Sequence, residues 1–209
     1  MHLSLRVRDL VVASWPTDAD SVAAATYPGL EPLPVDGQHV VSLVGVRFAG
    51  GRIGRARVPP FAQLNARTYV RSADGDGVFF LRSYVTAAGL GGVFFGAPLR
   101  AARVRVGPER VAVVGAGVDL RFDVREAAEP GEVGRQELGL FEAAGLRAFR
   151  IERGPAEWRA ADIAASPRVD LLLALGFELR GEPRLFYTRD TSFEAELPPR
   201  KIDASRSRR

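Results

Sequence analysis

Polar side chains occupy every second position within Pro60–Val70 (PFAQLNARTYV): Gln63, Asn65, Arg67 and Tyr69. Extended backbone turns successive residues to opposite faces, so these share one face while Leu64, Ala66, Thr68 and Val70 take the other. Two amides, a planar guanidinium and a phenol together suit recognition of a carboxylate or a carbonyl. Arg67 would pair with the anionic group, and Gln63, Asn65 and Tyr69 would supply hydrogen bonds. In the next alternating run Val78, Phe80, Arg82 and Tyr84 fall on one face, so Arg82 and Tyr84 extend the site if that face is the inner one. The competing reading is structural: a solvated strand face, or an Arg67 held by backbone carbonyls or by an acid such as Asp36 or Asp119.

Other chemistries find less material. The two histidines, His2 near the start and His39 beside the Gly37 turn, have no cysteine and no helical partner, so no metal site is expected. No Gly-x-Ser-x-Gly elbow occurs, which argues against a Ser-His-Asp hydrolase. The run Val111–Leu120 (VAVVGAGVDL) imitates the opening of a dinucleotide fold, but Leu120 stands at the third glycine position. A period-two segment follows where a helix should receive the pyrophosphate, so a turn between strands is expected and no cofactor is implied. The second functional class is a lyase, hydratase or hydrolase using Tyr69 or a carboxylate such as Glu178, and a third is an interaction protein with a vestigial pocket. No residue in the sequence marks itself as titrating near neutral pH, so whether the chain is an enzyme stays open.

The elements that must position these residues are sized by composition. The 209 residues are 46% hydrophobic and 26% charged, enough for a sizeable core. No apolar run approaches the ~18 residues of a membrane span, and the mixed N-terminus offers no apolar leader core. Absence of cysteine is permissive of the cytoplasm, which is the expected location. The net charge of +4 resides entirely in Pro198–Arg209, where five basic side chains face Asp203, and the rest of the chain is neutral. A neutral body disfavours nucleic acid, and residues 201–209 are expected to be a disordered, solvated basic tail.

Thr17–Thr26 is expected to be a short helix capped by Thr17. Strands are expected at Ser42–Phe48, Phe61–Arg71 and Val78–Val85, the last two around an Asp74–Gly77 turn, with an alternating basic segment at Arg52–Val58. Thr86–Phe95 is short and helix-like. A hairpin is expected from Ala102–Val106 and Arg110–Val114, then a half-wet strand at Val118–Arg125 and strand material in Leu138–Arg153. Ala161–Gly176 reads as helix interrupted at Pro167, and Phe177–Tyr187 as the last strand material. Pro198 and Pro199 donate no backbone N–H, so pairing is expected to end by Leu197. Many short strands with turn signals between them favour a barrel or sandwich.

The segments VSLVGVRF (Val41–Phe48), PFAQLNARTYV (Pro60–Val70) and GVFF (Gly77–Phe80) resemble the DUF2071 family. Weaker likeness continues through Phe95–Arg103 and Leu185–Lys201. That family is similar in fold to acetoacetate decarboxylase, so the resemblance implies one mainly antiparallel β-barrel or cone over residues 1–200, with a few short peripheral helices. A two-sheet sandwich with a helical C-terminal appendage is the alternative. The resemblance also places the Gln63–Tyr69 face inside a pocket, for a small organic acid or carbonyl compound, and leaves a homo-oligomer open. Acetoacetate decarboxylase-like enzymes use a lysine Schiff base with a depressed pKa. Here Lys201, near the chain end, is the sole lysine, so lysine-dependent decarboxylation is expected to be absent. Gln63 stands where the family usually carries an acid, and Ala97-Pro98-Leu99 where relatives show Leu-Pro-Tyr.

Overall fold

In the computed structural model, which describes residues 1–86, 97, 99–134 and 137–204, the chain is mostly strands with two short helices. The first half runs β1 (His2–Pro16), α1 (Ala19–Ala25), β2 (Glu31–Pro32), β3 (Val40–Ile53), β4 (Ala56–Val58), β5 (Phe61–Ser72) and β6 (Gly75–Val85). Next come β7 (Leu99–Ala101), β8 (Arg103–Val106), β9 (Arg110–Val114) and β10 (Val118–Ala127). The last part is β11 (Leu138–Glu142), β12 (Leu146–Arg153), β13 (Arg159–Ile163), β14 (Arg168–Val169), α2 (Asp170–Ala174), β15 (Arg184–Thr188), β16 (Thr191–Glu196) and β17 (Arg200–Lys201).

Seven of these strands close a ring in the order β1, β3, β5, β6, β11, β12, β16 and back to β1. All neighbours are antiparallel except β6 and β11, which run parallel at Val78–Phe79 and Gly139–Leu140. A second sheet, β8–β9–β10–β13–β15, grows from the C-terminal half of β1 and folds over the outside of β1, β3 and β5. Where it covers them, at Asp9–Trp15, Val40–Val46 and Leu64–Val70, those three strands are buried on both faces. On β3, Val41 and Leu43 pack outward with Val111 and Leu120, while Val44, Val46 and Phe48 pack inward with Leu5 and Leu10. The approach is closest at Gly45, where a Cβ would lie 2.9 Å from the Val111 methyls. The outer surface of β6, β11 and β12 carries a third core around Val70, Phe79, Leu140 and Leu146.

The barrel with short outer helices is as expected, and several elements differ from the sequence reading. α1 is capped by Asp18, whose carboxylate accepts from Ser21 N at 2.6 Å, and not by Thr17, which is buried. The basic segment Arg52–Val58 splits into the end of β3 and β4, joined at Gly54, whose φ of 55° suits a glycine turn. Gly75–Gly77 lies in β6, and the turn is the two residues Ala73 and Asp74. Beyond Thr86, the helix-like segment to Phe95 lies outside the described residues. Ala161–Gly176 is helical only at α2; β13 instead pairs with β10 and β15, because tertiary pairing overrides alanine-rich helix propensity. Gly115 and Gly117 occupy a turn at positive φ between β9 and β10, as expected of the imitation dinucleotide motif.

The prolines do interrupt pairing, but pairing resumes after them. Arg200 and Lys201 pair with Ala148 and Arg147, and Ile202 N donates to Leu146 O at 3.0 Å. Ile202 and Ala204 pack partly buried on the third core, so the chain is docked to Ala204; Ser205–Arg209 lie outside the described residues.

A polar contact ties the two sheets together. Asp9, 2% exposed on β1, accepts from Arg47 Nε on β3 at 2.6 Å and from the Tyr187 hydroxyl on β15 at 2.7 Å. Burial, then the bond to Asp9, pushes the Tyr187 phenol above the ordinary tyrosine range. Removing one donor leaves a buried carboxylate under-satisfied. Tyr187→Phe should cost about 1–3 kcal/mol in equilibrium denaturation.

Candidate functional site

β5 supplies the polar wall of the barrel interior. Its outward side chains Leu64 and Ala66 belong to the core shared with the second sheet, so Gln63, Asn65 and Arg67 turn inward onto the barrel cavity. Asn65 Oδ1 accepts from Gln63 Nε2 and from the Ser83 hydroxyl, both at 2.7 Å. Its amide is left facing the cavity with hydrogens to donate. Arg67, 2% exposed, donates from Nη2 to the Tyr69 hydroxyl at 3.2 Å, and its guanidinium carbon lies 5.5 Å from the Tyr69 ring centroid. Tyr69 is fully buried and backs Arg67, outside the cavity lining.

The acids considered as structural partners for Arg67 are engaged elsewhere. Asp36 accepts from Arg184 at 2.8 Å and Asp119 from Arg110 at 2.7 Å. Glu178 is exposed and does not reach the cavity. Lys201 is exposed on β17, also away from the cavity lining. Among the described residues, no group of histidine, aspartate and glutamate is arranged to hold a metal ion.

β6 departs from simple alternation. Ala66 pairs with Arg82 but Arg67 pairs with Phe80, so Leu81 is an extra residue, a β-bulge. Beyond it the facing reverses: Phe80, Ser83 and Val85 line the cavity, with Arg82 beside them. Tyr84 turns to an outer groove beside Arg110, Asp119 and Arg168, where Arg82 also reaches. The structure thus gathers Gln63, Asn65, Arg67 and Arg82, with Tyr69 behind them, and separates Tyr84.

The sequence reading missed Arg153. It ends β12 directly opposite Phe193 and lines the cavity together with Phe149 and Ile151, four and two residues before it. Burial, and next the neighbouring Arg67 guanidinium, push its pKa down to about 10, so it remains a cation at neutral pH. The signal was present: Phe149, Ile151 and Arg153 alternate on one face. Most of the remaining wall is apolar, with valine and leucine from β1 and β3 and phenylalanines from six strands in all, and Thr191 and Ser192 add hydroxyls.

The closed seven-stranded barrel with its additional strands is an acetoacetate decarboxylase-like fold. The chain belongs to the DUF2071 family of uncharacterized conserved proteins, whose model matches residues 4–191. The acetoacetate decarboxylase from Legionella pneumophila superposes with a TM-score of 0.69 at 12% identity, covering 97% of this chain and 86% of that one. The enduracididine biosynthesis enzyme MppR, complexed with pyruvate, gives 0.65 at 14% identity over 96% and 90% of the two chains. The same enzyme with the condensation product of pyruvate and imidazole 4-carboxaldehyde gives 0.67 at 16% identity over 98% and 90%. These likenesses establish the fold. No curated protein matches the sequence.

The Asn65 network is testable without a ligand. Asn65→Ala removes the acceptor shared by Gln63 and the buried Ser83, and should lower the unfolding free energy by about 1–3 kcal/mol in urea denaturation.

Proposed function

We propose that the barrel cavity binds a small organic acid or carbonyl compound, without Schiff-base chemistry. The observation that carries this reading is Arg67, almost wholly buried yet on the cavity wall, with Arg153 on the same cavity. Two guanidinium groups in an apolar enclosure repel one another, and an anion between them relieves that repulsion while accepting planar paired hydrogen bonds. The Asn65 amide is positioned as a further donor, Gln63 holds Asn65 in that orientation, and Tyr69 holds Arg67. Arg82 contributes at the edge. The complexes of MppR with pyruvate support the same class of ligand on the same fold.

The reaction of the lysine-dependent decarboxylases has no amine here. The sole lysine is Lys201, on a strand whose side chains lie away from the cavity, and an arginine stays protonated and forms no imine. The ligand-binding unit on this reading is a single domain over residues 1–200. A cysteine-free chain of this kind suits the cytoplasm.

Thermal-shift measurements with pyruvate, other keto acids, hydroxy acids and neutral ketones test the reading. A ligand at about a hundred times its Kd should raise the melting temperature by about 5–10 °C. Arg67→Met should abolish that rise while keeping a cooperative melt. An acid that stabilises wild type and Arg67→Met equally would end the proposal.

A further inference from the structure

Phenylalanines reach the cavity in two groups. Phe48 stacks on Phe61 with ring centroids 4.5 Å apart and meets Phe193 edge-on at 6.2 Å. Across the cavity Phe149 lies 5.9 Å from Phe80 and 6.0 Å from Phe141. Gly139 opposite Phe149 makes room for its ring, since a Cβ there would fall 2.6 Å from Phe149 Cζ. Strand register connects the groups to the charges: Arg67 is directly opposite Phe80, and Arg153 directly opposite Phe193. Each guanidinium is therefore the cross-strand neighbour of one phenylalanine group.

We propose that the cavity is built for an aromatic carboxylate, whose carboxylate sits on Arg67 and Arg153 and whose ring lies between the two phenylalanine groups. This rests on the acid-binding reading above and adds the ligand's class. An acid of pyruvate's size satisfies the guanidinium groups but leaves the phenylalanine surface uncovered. A dicarboxylate would press its second charge against apolar side chains, where desolvation goes uncompensated. An aryl ring instead removes apolar surface from water and meets the phenylalanines in offset or edge-on contact.

Isothermal titration of the full chain with phenylpyruvate, pyruvate and phenylacetone separates the contributions. Phenylpyruvate should bind about tenfold to a hundredfold more tightly than pyruvate, from burial of the added ring. Phe149→Leu and Phe193→Leu, which keep an apolar side chain at each site, should shrink that ratio. Arg153→Met should weaken both acids and leave phenylacetone unchanged, with thermal melts verifying that each variant folds. Pyruvate binding as tightly as phenylpyruvate would overturn the aromatic class and leave the acid site standing. Phenylacetone binding as tightly as phenylpyruvate would overturn the role given to the two arginines here. Failure of either acid to bind wild type would overturn the acid-binding reading, and the aromatic class with it.

Discussion

Double burial of β1, β3 and β5 is the constraint from which the remaining structure follows. The second sheet covers their outer faces, so every alternate residue of these strands must satisfy one core or the other. A polar stripe on β5 cannot face solvent under that arrangement. It must either be paired within the barrel or line an interior space. Asn65, Gln63 and Ser83, bonded among themselves, and Arg67, braced by Tyr69, do both. The closed ring also removes the free strand edges that an open sheet of this length would expose. The Asp9–Arg47–Tyr187 contact fixes how the covering sheet sits on the ring, because its three members come from three different strands.

How much of this was legible in the sequence depended on whether each strand had one polar face. β5 was plain, since polar and apolar residues alternate through its whole length, and β10 likewise with its charged outer face. β1 gave no comparable signal although it is the longest strand described: after Asp9 its residues are apolar on both sides apart from Ser14, which is what two cores require and what periodicity cannot resolve. The Ala161–Gly176 segment misled through composition. Alanine and leucine favour helix locally, yet β13 is the strand that joins β10 to β15. Arg153 was overlooked because an arginine at the end of an alternating run reads as a solvated terminus. Only the closure of the ring turns that terminus inward.

The basic residues of the chain show a marked bias. Basic side chains are nearly all arginine, and the one lysine is spent on a short peripheral strand. Arginine offers fixed charge and planar geometry where lysine would offer a titratable nucleophile. What the chain shares with acetoacetate decarboxylase is the fold. Inside this barrel the buried Arg67 and the half-buried Arg153 bring charge to a cavity lined mostly by apolar side chains.

The extra residue at Leu81 gives β6 two reading frames. Before it, even-numbered positions such as Val78 and Phe80 face inward; after it, the odd-numbered Ser83 and Val85 do. One strand thereby furnishes two chambers, the barrel interior and the outer groove, from a single stretch of chain. The frame shift is also what aligns Ser83 with Asn65, whose side-chain oxygen accepts the Ser83 hydroxyl, and the extra residue lies one position after Phe80, the partner of Arg67. Were Leu81 accommodated in regular alternation instead of a bulge, Arg82 and Tyr84 would face the barrel, Ser83 would leave it, and Asn65 would lose the hydroxyl bonded to it. The identity of the inward-facing set is thus encoded by the number of residues in β6 as much as by their kinds.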